Sequence, residues 1–247
     1  MVVVPCFNEE RRLDVRRLTV LAESGRVRLL FVNDGSTDGT LPVLTRLRDS
    51  SGGVEVLDLR QNVGKAEAVR RGLVHAIATG APVVGYYDAD LATPPDEFLR
   101  LVDVLQDKPE VEFVLAARVA LLGRRIERKA TRHYLGRVFA SLASGILGIR
   151  VYDTQCGAKV FRVTPAVVES LSQPFRSTWV FDVELIGRLL RGSNLVEPVP
   201  QTAFEEVPLR EWLDVSGSKL SIVDMGRALA DLILVGAELR LPRRPRT

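Results

Sequence analysis

The chain has few of several residue types, and each scarcity excludes a class of protein. Its 247 residues include only two cysteines and two histidines. A disulfide scaffold is therefore excluded, and neither histidine has a cysteine or a second histidine at zinc-ligand spacing. Aromatic residues make up 6% of the chain and do not alternate with the arginines, which argues against a stacking platform for nucleic acid. We expect Cys156 to be a buried packing residue and not a nucleophile.

Long apolar runs are also missing. Uncharged stretches such as residues 138–149 are shorter than the roughly 18 apolar residues that a membrane-spanning helix needs. No signal peptide is apparent at the N-terminus, so we expect two reduced thiols in a cytoplasmic protein, peripheral on the inner face of a membrane if it binds one.

Charge is nearly balanced but unevenly placed. The net charge is +3 and the pI is about 9.1, with arginines concentrated in residues 118–132 and 240–246. Such basic segments suit anionic lipid, nucleic acid or simply a solvated surface. Because no nucleic-acid-binding motif is present, we do not expect a nucleic-acid partner.

Apolar strand-like segments alternate with helix-periodic segments over the first 116 residues. Strands are predicted at residues 1–7, 28–33, 54–59, 82–87 and 111–116, with helices at 9–24, 40–49, 65–79 and 97–105. This alternation predicts an α/β, doubly wound, mostly parallel sheet, followed by a helical C-terminal elaboration with a helix at 178–191 and a strand region at 195–207. We expect a catalytic domain over residues 1–217, and an amphipathic helix and basic tail over 218–247.

Polar loops follow each of the predicted strands. In a parallel sheet these loops meet at one edge, where ligands bind. Asp34 could accept a hydrogen bond from a nucleotide base, and Lys65 beside Gly64 could approach a phosphate. Neither a dinucleotide-binding glycine motif nor an ATP-binding loop is present.

Asp88 and Asp90 follow the fourth strand with Ala89 between them. Two carboxylates at this spacing can hold one Mg²⁺ or Mn²⁺ ion that also binds a diphosphate. The alternative is a capping role in the loop before Pro94 and Pro95.

Four motifs together resemble family 2 glycosyltransferases of the GT-A fold. They are VPCFNE at 4–9, VNDGSTDG at 32–39, NVGK at 62–65 and DAD at 88–90. Later segments, DTQCGAKVF at 153–161 and WVFDVE at 179–184, resemble the dolichyl-phosphate glucosyltransferase and mannosyltransferase branch, and GSK at 217–219 fits the glucosyl type.

The resemblance implies an inverting transfer of a hexose, glucose from UDP-glucose, to a polyprenyl or dolichyl phosphate. It implies a metal site at Asp88 and Asp90, although Ala92 stands where the mannosyl branch has a further glutamine ligand. The implied nucleotide-sugar site comprises Pro5, Asn8, Glu9, Asp34, Gly64, Lys65, Asp88 and Ala89.

The implied acceptor site contains Arg118 and Arg132, whose guanidinium groups suit a phosphate. A phosphate acceptor is already ionised and needs no base, whereas a hydroxyl acceptor would need one, for which Asp182 or Glu184 is available. Helix capping or a salt bridge is the alternative role of those two carboxylates.

Two other functions stay open at this point. The first is a glycosyltransferase of the same fold that uses GDP-mannose or a saccharide acceptor. The second is a module that binds a nucleotide sugar without turnover. Helices near 134–149 and 222–239 are candidates for a membrane surface, and each could equally be domain core or a dimer contact. The sequence does not indicate the oligomeric state.

Overall fold

The computed structural model of the chain describes residues 1–127, 130–214 and 222–240. The strands are β1 (Val2–Cys6), β2 (Leu29–Asn33), β3 (Val54–Asp58), β4 (Val83–Tyr87), β5 (Phe113–Ala117), β6 (Arg125–Glu127), β7 (Ala158–Arg162), β8 (Phe204–Pro208) and β9 (Glu211–Leu213). The helices are α1 (Val15–Glu23), α2 (Thr40–Ser50), α3 (Lys65–Ala78), α4 (Pro95–Asp107), α5 (Ala130–Leu147), α6 (Pro165–Ser170), α7 (Phe181–Arg191) and α8 (Ile222–Arg240).

Within the described residues, the larger sheet has seven strands in the order β3-β2-β1-β4-β7-β5-β8. Strand β7 runs antiparallel to β4 and β5, and the other neighbours are parallel. The chain order runs outward from β1 on one side and from β4 on the other, so the carboxyl ends of these two strands flank a switch point where ligands bind. The predicted α/β, mostly parallel architecture is confirmed.

Both faces of this sheet are covered by helices. Leu18 of α1, Leu44 of α2 and Leu101 of α4 belong to the core on one face. Leu73 of α3 and Leu185 of α7 belong to the core on the other. The β-branched and aromatic runs of the inner strands are therefore buried on both sides, as their lack of alternation indicates.

Helix α8 packs against α5 and α7 through a separate apolar cluster. Its buried part consists of Ala143 of α5, Val180 just before α7, Val183 of α7, and Leu232 and Val235 of α8. The proposed domain boundary at residue 217 and the GSK motif at 217–219 lie outside the described residues. No helix in the described part of the chain is long and apolar enough to span a bilayer.

The described structure differs from the sequence prediction at several element ends. The helix predicted from residue 9 begins at Val15, because the Glu10 amide donates to Asp38 in the loop after β2 and Asp14 caps the helix by accepting from the Arg17 amide at 3.0 Å. The helix predicted from residue 178 begins at Phe181, since the Ser177 hydroxyl accepts from the amides before it.

Two further differences concern strands. In the strand region predicted at residues 195–207, the structure has a strand only from Phe204 onward, as part of β8. A 3₁₀ turn over Gln201–Ala203 precedes it. Strands β6 and β9 form a small parallel pair that the sequence did not predict. Each has three residues, too few to show a periodic pattern.

Candidate active site

The loops after β1 and β2 are joined side by side at the carboxyl edge of the sheet. Pro5 lies in β1 opposite Val32 of β2. Just beyond, the Asn8 side chain accepts from the Thr37 amide at 2.9 Å, and the Glu9 amide donates to the Thr40 hydroxyl at 2.8 Å. The predicted convergence of these loops is what the structure shows.

Asp34 joins the loop after β3 to the same edge. Its carboxylate accepts from the amides of Val63 at 2.7 Å and Gly64 at 3.0 Å, and the residue is only 2% exposed. Gly35 makes this contact close: its φ is +65°, and a Cβ there would overlap the backbone of Asn62. Asp34 thus orders the loop between β3 and α3, and its predicted contact with a nucleotide base stays a prediction.

Lys65 is the first residue of α3 and faces the acidic motif. Gly64, with φ of +88°, turns the chain into the helix. The Lys65 ammonium lies 2.7 Å from Oδ1 of Asp88. Burial alone would lower the pKa of Lys65, but the charges of Asp88, Asp182 and Asp90 raise it above its ordinary value. The ammonium therefore stays charged at this edge.

Asp88 and Asp90 lie in a tight turn directly after β4. Leu91 adopts a left-handed conformation with φ of +52°, uncommon for a branched residue and typical of functional turns. Asp90 accepts from the Ala92 amide at 3.1 Å. Burial, and then the charge of Asp88, raise the pKa of Asp90. Because a cation would relieve both effects, the two oxygen donors fit a hard divalent ion.

Gly157 forms the wall behind Asp88. The Asp88 amide donates to the Gly157 carbonyl at 2.9 Å, and a Cβ at residue 157 would overlap the Asp88 carboxylate. A larger residue at position 157 would therefore force the Asp88 carboxylate out of its present position. Sequence reasoning noted the surrounding motif but missed this role, since β7 pairs with β4 across about seventy residues of chain.

A buried ion pair joins β7 to α7. Nζ of Lys159 lies 2.8 Å from Oδ1 of Asp182 and donates to the Cys156 carbonyl at 2.6 Å. Its charge lies 5.0 Å from the centre of the Tyr86 ring. Burial acts to raise the pKa of Asp182 and to lower the pKa of Lys159. At 2.8 Å each partner offsets this burial by favouring the charged form of the other.

Glu184 is the other carboxylate that could act as a base. Its oxygens already accept hydrogen bonds from neighbouring groups of the protein. It accepts from the amides of Arg176 at 2.9 Å and Ser177 at 3.3 Å and from Arg188 at 2.6 Å. The capping and salt-bridge role is therefore the one that the structure shows for Glu184.

Arg118 is engaged with Asp153. Its Nε and Nη2 lie 2.6 Å and 2.8 Å from the two carboxylate oxygens, and its amide also donates to Asp153. Trp212 covers the guanidinium at 5.3 Å. The Arg118 side chain thus fixes the segment that leads to Gly157. Its guanidinium binds the Asp153 carboxylate here, and its contact with an acceptor phosphate stays a prediction. The side chain of Arg132 lies outside the described part of the chain.

The two aromatic residues of the WVFDVE motif, Trp179 and Phe181, differ in burial. Phe181 is buried and packs against Tyr86, with ring centroids 5.7 Å apart. The sequence favours a core position for both Trp179 and Phe181 over a place at the border of a sugar site, yet Trp179 is 40% exposed. The sequence prediction is wrong for Trp179, because it lies in the turn before α7 and not on the inner face of the helix. Cys156 is buried and free, as predicted.

Comparison with known proteins supports one family over most of the chain. The family described as "Glycosyl transferase family 2" matches residues 1–167. The dolichyl-phosphate beta-glucosyltransferase of Drosophila melanogaster is 32% identical over 92% of this chain and 72% of its own length. The enzyme of the same name from Saccharomyces cerevisiae is 28% identical over 95% of this chain and 73% of its own length.

A solved structure has the same fold. Glucosyl-3-phosphoglycerate synthase from Mycobacterium tuberculosis, in complex with Mn²⁺, UDP and glucosyl-3-phosphoglycerate, superposes with a TM-score of 0.63 at 20% identity. The match covers 96% of this chain and 79% of that one. At this identity the likeness concerns the GT-A fold alone, and the predicted GT-A fold is confirmed.

The sheet, the acidic turn after β4 and these matches define a glycosyltransferase. The chain belongs to glycosyl transferase family 2 and, within it, to the dolichyl-phosphate glucosyltransferase branch.

Proposed function

We propose that this chain transfers a hexose, glucose from UDP-glucose, to the phosphate of a polyprenyl phosphate such as dolichyl phosphate, with inversion at the anomeric carbon. The names of its relatives support the sugar and the acceptor. The structural neighbour that holds UDP and Mn²⁺ supports the donor and a cation.

We choose a phosphate acceptor because both carboxylates of α7 that could act as a base are already bound to other groups of the protein. A hydroxyl acceptor needs a base to remove its proton. Asp182 is buried against Lys159, and Glu184 is saturated by backbone amides and Arg188. Both are thus engaged in holding the fold. An acceptor that arrives ionised, as a phosphate monoester does, needs neither of them.

The donor end of the reaction uses the carboxyl edge of the sheet. Asn8, Glu9, Asp34 and Gly64 shape the nucleotide loops, and Lys65 provides a positive charge for the diphosphate. Asp88 and Asp90 would hold Mg²⁺ or Mn²⁺, which supplies Lewis-acid stabilisation of the leaving diphosphate. The protein otherwise works by positioning the acceptor oxygen in line with the bond that breaks.

The acceptor phosphate is proposed to bind Arg132, which follows the basic loop after β5 in sequence. Arg118 is proposed to act indirectly, without contacting the acceptor. Its ion pair with Asp153 orders the segment that ends at Gly157, and Gly157 in turn adjoins Asp88. Asp182 likewise acts through its charge near Lys65 and not as a proton acceptor.

A lipid substrate requires a membrane surface, and we propose that α5 and α8 provide it. Both helices expose apolar side chains at helical spacing: Tyr134, Leu135, Val138 and Leu142 on α5, and Leu229, Ile233 and Leu234 on α8. Arginines of residues 240–246 follow α8 in sequence and would favour anionic lipid. Peripheral binding at the cytoplasmic face agrees with the two free cysteines.

The test is a transfer assay with labelled UDP-glucose or GDP-mannose, Mn²⁺ or Mg²⁺, and a short polyprenyl phosphate. We expect metal-dependent glycolipid from UDP-glucose, lost in Asp90→Asn and Arg132→Ala. Asp49→Asn, at an exposed carboxylate of α2, is the matched control and should keep full activity. Equal transfer to the uncharged polyprenol would overturn the phosphate acceptor. Donor binding without any product would leave only a binding module.

A further inference from the structure

We infer that Lys65 occupies the cation's place on Asp88 in the free protein, so that the metal ion binds well only together with the nucleotide diphosphate. The inference rests on the proposed metal site at Asp88 and Asp90. It concerns the order and coupling of binding, which neither the motif nor the fold specifies.

The starting observation is the contact between the lysine and the metal motif. Nζ of Lys65 lies 2.7 Å from Oδ1 of Asp88, the same oxygen-bearing group that would hold the ion. The Lys65 and Asp88 side chains are 47% and 31% exposed, while the Oδ1 atom that contacts the lysine is itself shielded from solvent. A lysine with this exposure is not locked by packing and can change partners.

The surrounding charges explain why the lysine selects Asp88. Lys65 lies in the field of three carboxylates: Asp88, Asp90 and Asp182. Asp182 is already paired with Lys159 at 2.8 Å, and Asp90 accepts from the Ala92 amide. Asp88 is the member of the three with which Lys65 forms its ion pair. Without another anion nearby, the ammonium remains there.

A divalent ion and an ammonium group cannot share one carboxylate without strong repulsion. Binding of the bare ion must therefore displace Lys65 into water and break its ion pair. A diphosphate changes this, because its oxygens give Lys65 a new anionic partner within reach of α3. The ion and the lysine then each have an anionic partner, so the ion pair that Lys65 loses at Asp88 is replaced by one with the diphosphate.

Metal and nucleotide binding are accordingly coupled, and the coupling must be reciprocal. UDP tightens the binding of the ion, and the ion tightens the binding of UDP by the same factor.

The test is the affinity of the full chain for Mn²⁺, measured by titration calorimetry and by the Mn²⁺ EPR signal, with and without UDP. Lys65→Met should tighten the binding of Mn²⁺ alone by about fivefold, the upper range for a partly exposed ion pair. The same variant should lose most of the gain that UDP confers on the wild type. Arg71→Met, at an exposed cation on the same helix that pairs with Glu67, should change neither value.

Asp90→Asn separates this inference from the proposed function. If wild type binds Mn²⁺ with UDP and Asp90→Asn does not, the metal site stands. In that case unchanged or weaker binding of Mn²⁺ alone to Lys65→Met overturns the exchange at Asp88. If wild type binds no Mn²⁺ even with UDP, the metal site of the proposed function is wrong, and the inference is overturned with it.

Discussion

Lys159 of β7 and Asp182 of α7 form an ion pair across two elements, with 2.8 Å between Nζ and Oδ1, and Lys159 is only 1% exposed. Charges buried this deeply need each other, because removal of one leaves the other unpaired in a medium that solvates it poorly. The pair therefore fixes the start of α7 relative to the sheet and, with it, the carboxylate near Lys65.

Removing the lysine should be costly. We expect Lys159→Met to lower the free energy of unfolding by about 3 to 5 kcal/mol, the range for breaking a buried ion pair. The double variant Lys159→Met/Asp182→Leu should recover much of this loss, since no buried charge is then left. Urea denaturation of the wild type, both single variants and the double variant measures the coupling. Additive losses would show that the pair is not an energetic unit.

Replacing the carboxylate of Asp182 distinguishes a charge-positioning role from that of a base. Asp182→Asn keeps the shape, and with a phosphate acceptor we expect kcat/KM to fall by less than about tenfold. Loss of a general base typically lowers the rate by about 10²- to 10⁴-fold. Initial rates with polyprenyl phosphate at saturating UDP-glucose are the measurement. A loss in the larger range, in a variant whose circular dichroism shows that it is folded, would show that Asp182 acts as a base and would overturn the charge-positioning role.

Gly157 should be intolerant of even one added methyl group. In Gly157→Ala the new Cβ must push away the Asp88 carboxylate, so we expect Mn²⁺ affinity and transfer to fall by about 10²-fold, as for other misplacements near a reacting centre. Far-UV circular dichroism should stay unchanged. Gly145→Ala, on α5 with open space at the Cβ position, is the matched control and should keep its activity.

Lys159 and Asp182 show which part of the site the sequence alone does not predict. The strands β1 to β4 and the acidic turn after β4 were predictable, because apolar runs and the loops that follow them are local signals. Lys159 was not singled out, although a lysine between Ala158 and Val160 in an apolar strand is a signal of buried pairing. Its partner Asp182 is more than twenty residues away, and β7 inserts antiparallel between β4 and β5. Such contacts depend on topology and not on pattern.

The same limit applies to Arg118. Its type and place suggested a phosphate ligand, yet in the structure it binds a carboxylate 35 residues further along the chain. A carboxylate and a phosphate present similar paired oxygens to a guanidinium, so the residue type cannot distinguish them. Only the position of Asp153 in the fold does.

The two thiols should make the protein less stable at high pH. Burial raises the pKa of Cys156 from its ordinary 9.0 to about 11, and burial also raises the pKa of Cys6. A raised pKa in the folded state gives stability that is present below pH 9 and is lost as the pH rises through 11. For Cys156 the loss amounts to about 2 to 3 kcal/mol. Unfolding measured between pH 8 and pH 11 should show a shallower decline in Cys156→Ala. An unchanged slope would contradict the burial of this thiol as the cause.

The apolar stripe on α8 should be needed for membrane binding and not for the chemistry. Ile233→Glu with Leu234→Glu places two charges among exposed apolar side chains, so we expect binding to anionic vesicles to weaken by at least about tenfold. Transfer to a short, water-soluble prenyl phosphate should stay within about twofold of wild type, since both side chains lie on the outer face of the helix. Val20→Glu, at an equally exposed valine on α1, is the matched control for added charge. Vesicle sedimentation at low and high salt measures the binding. If the double variant and the control sediment alike, α8 does not contact the lipid surface, and the membrane-facing side of the protein must lie elsewhere.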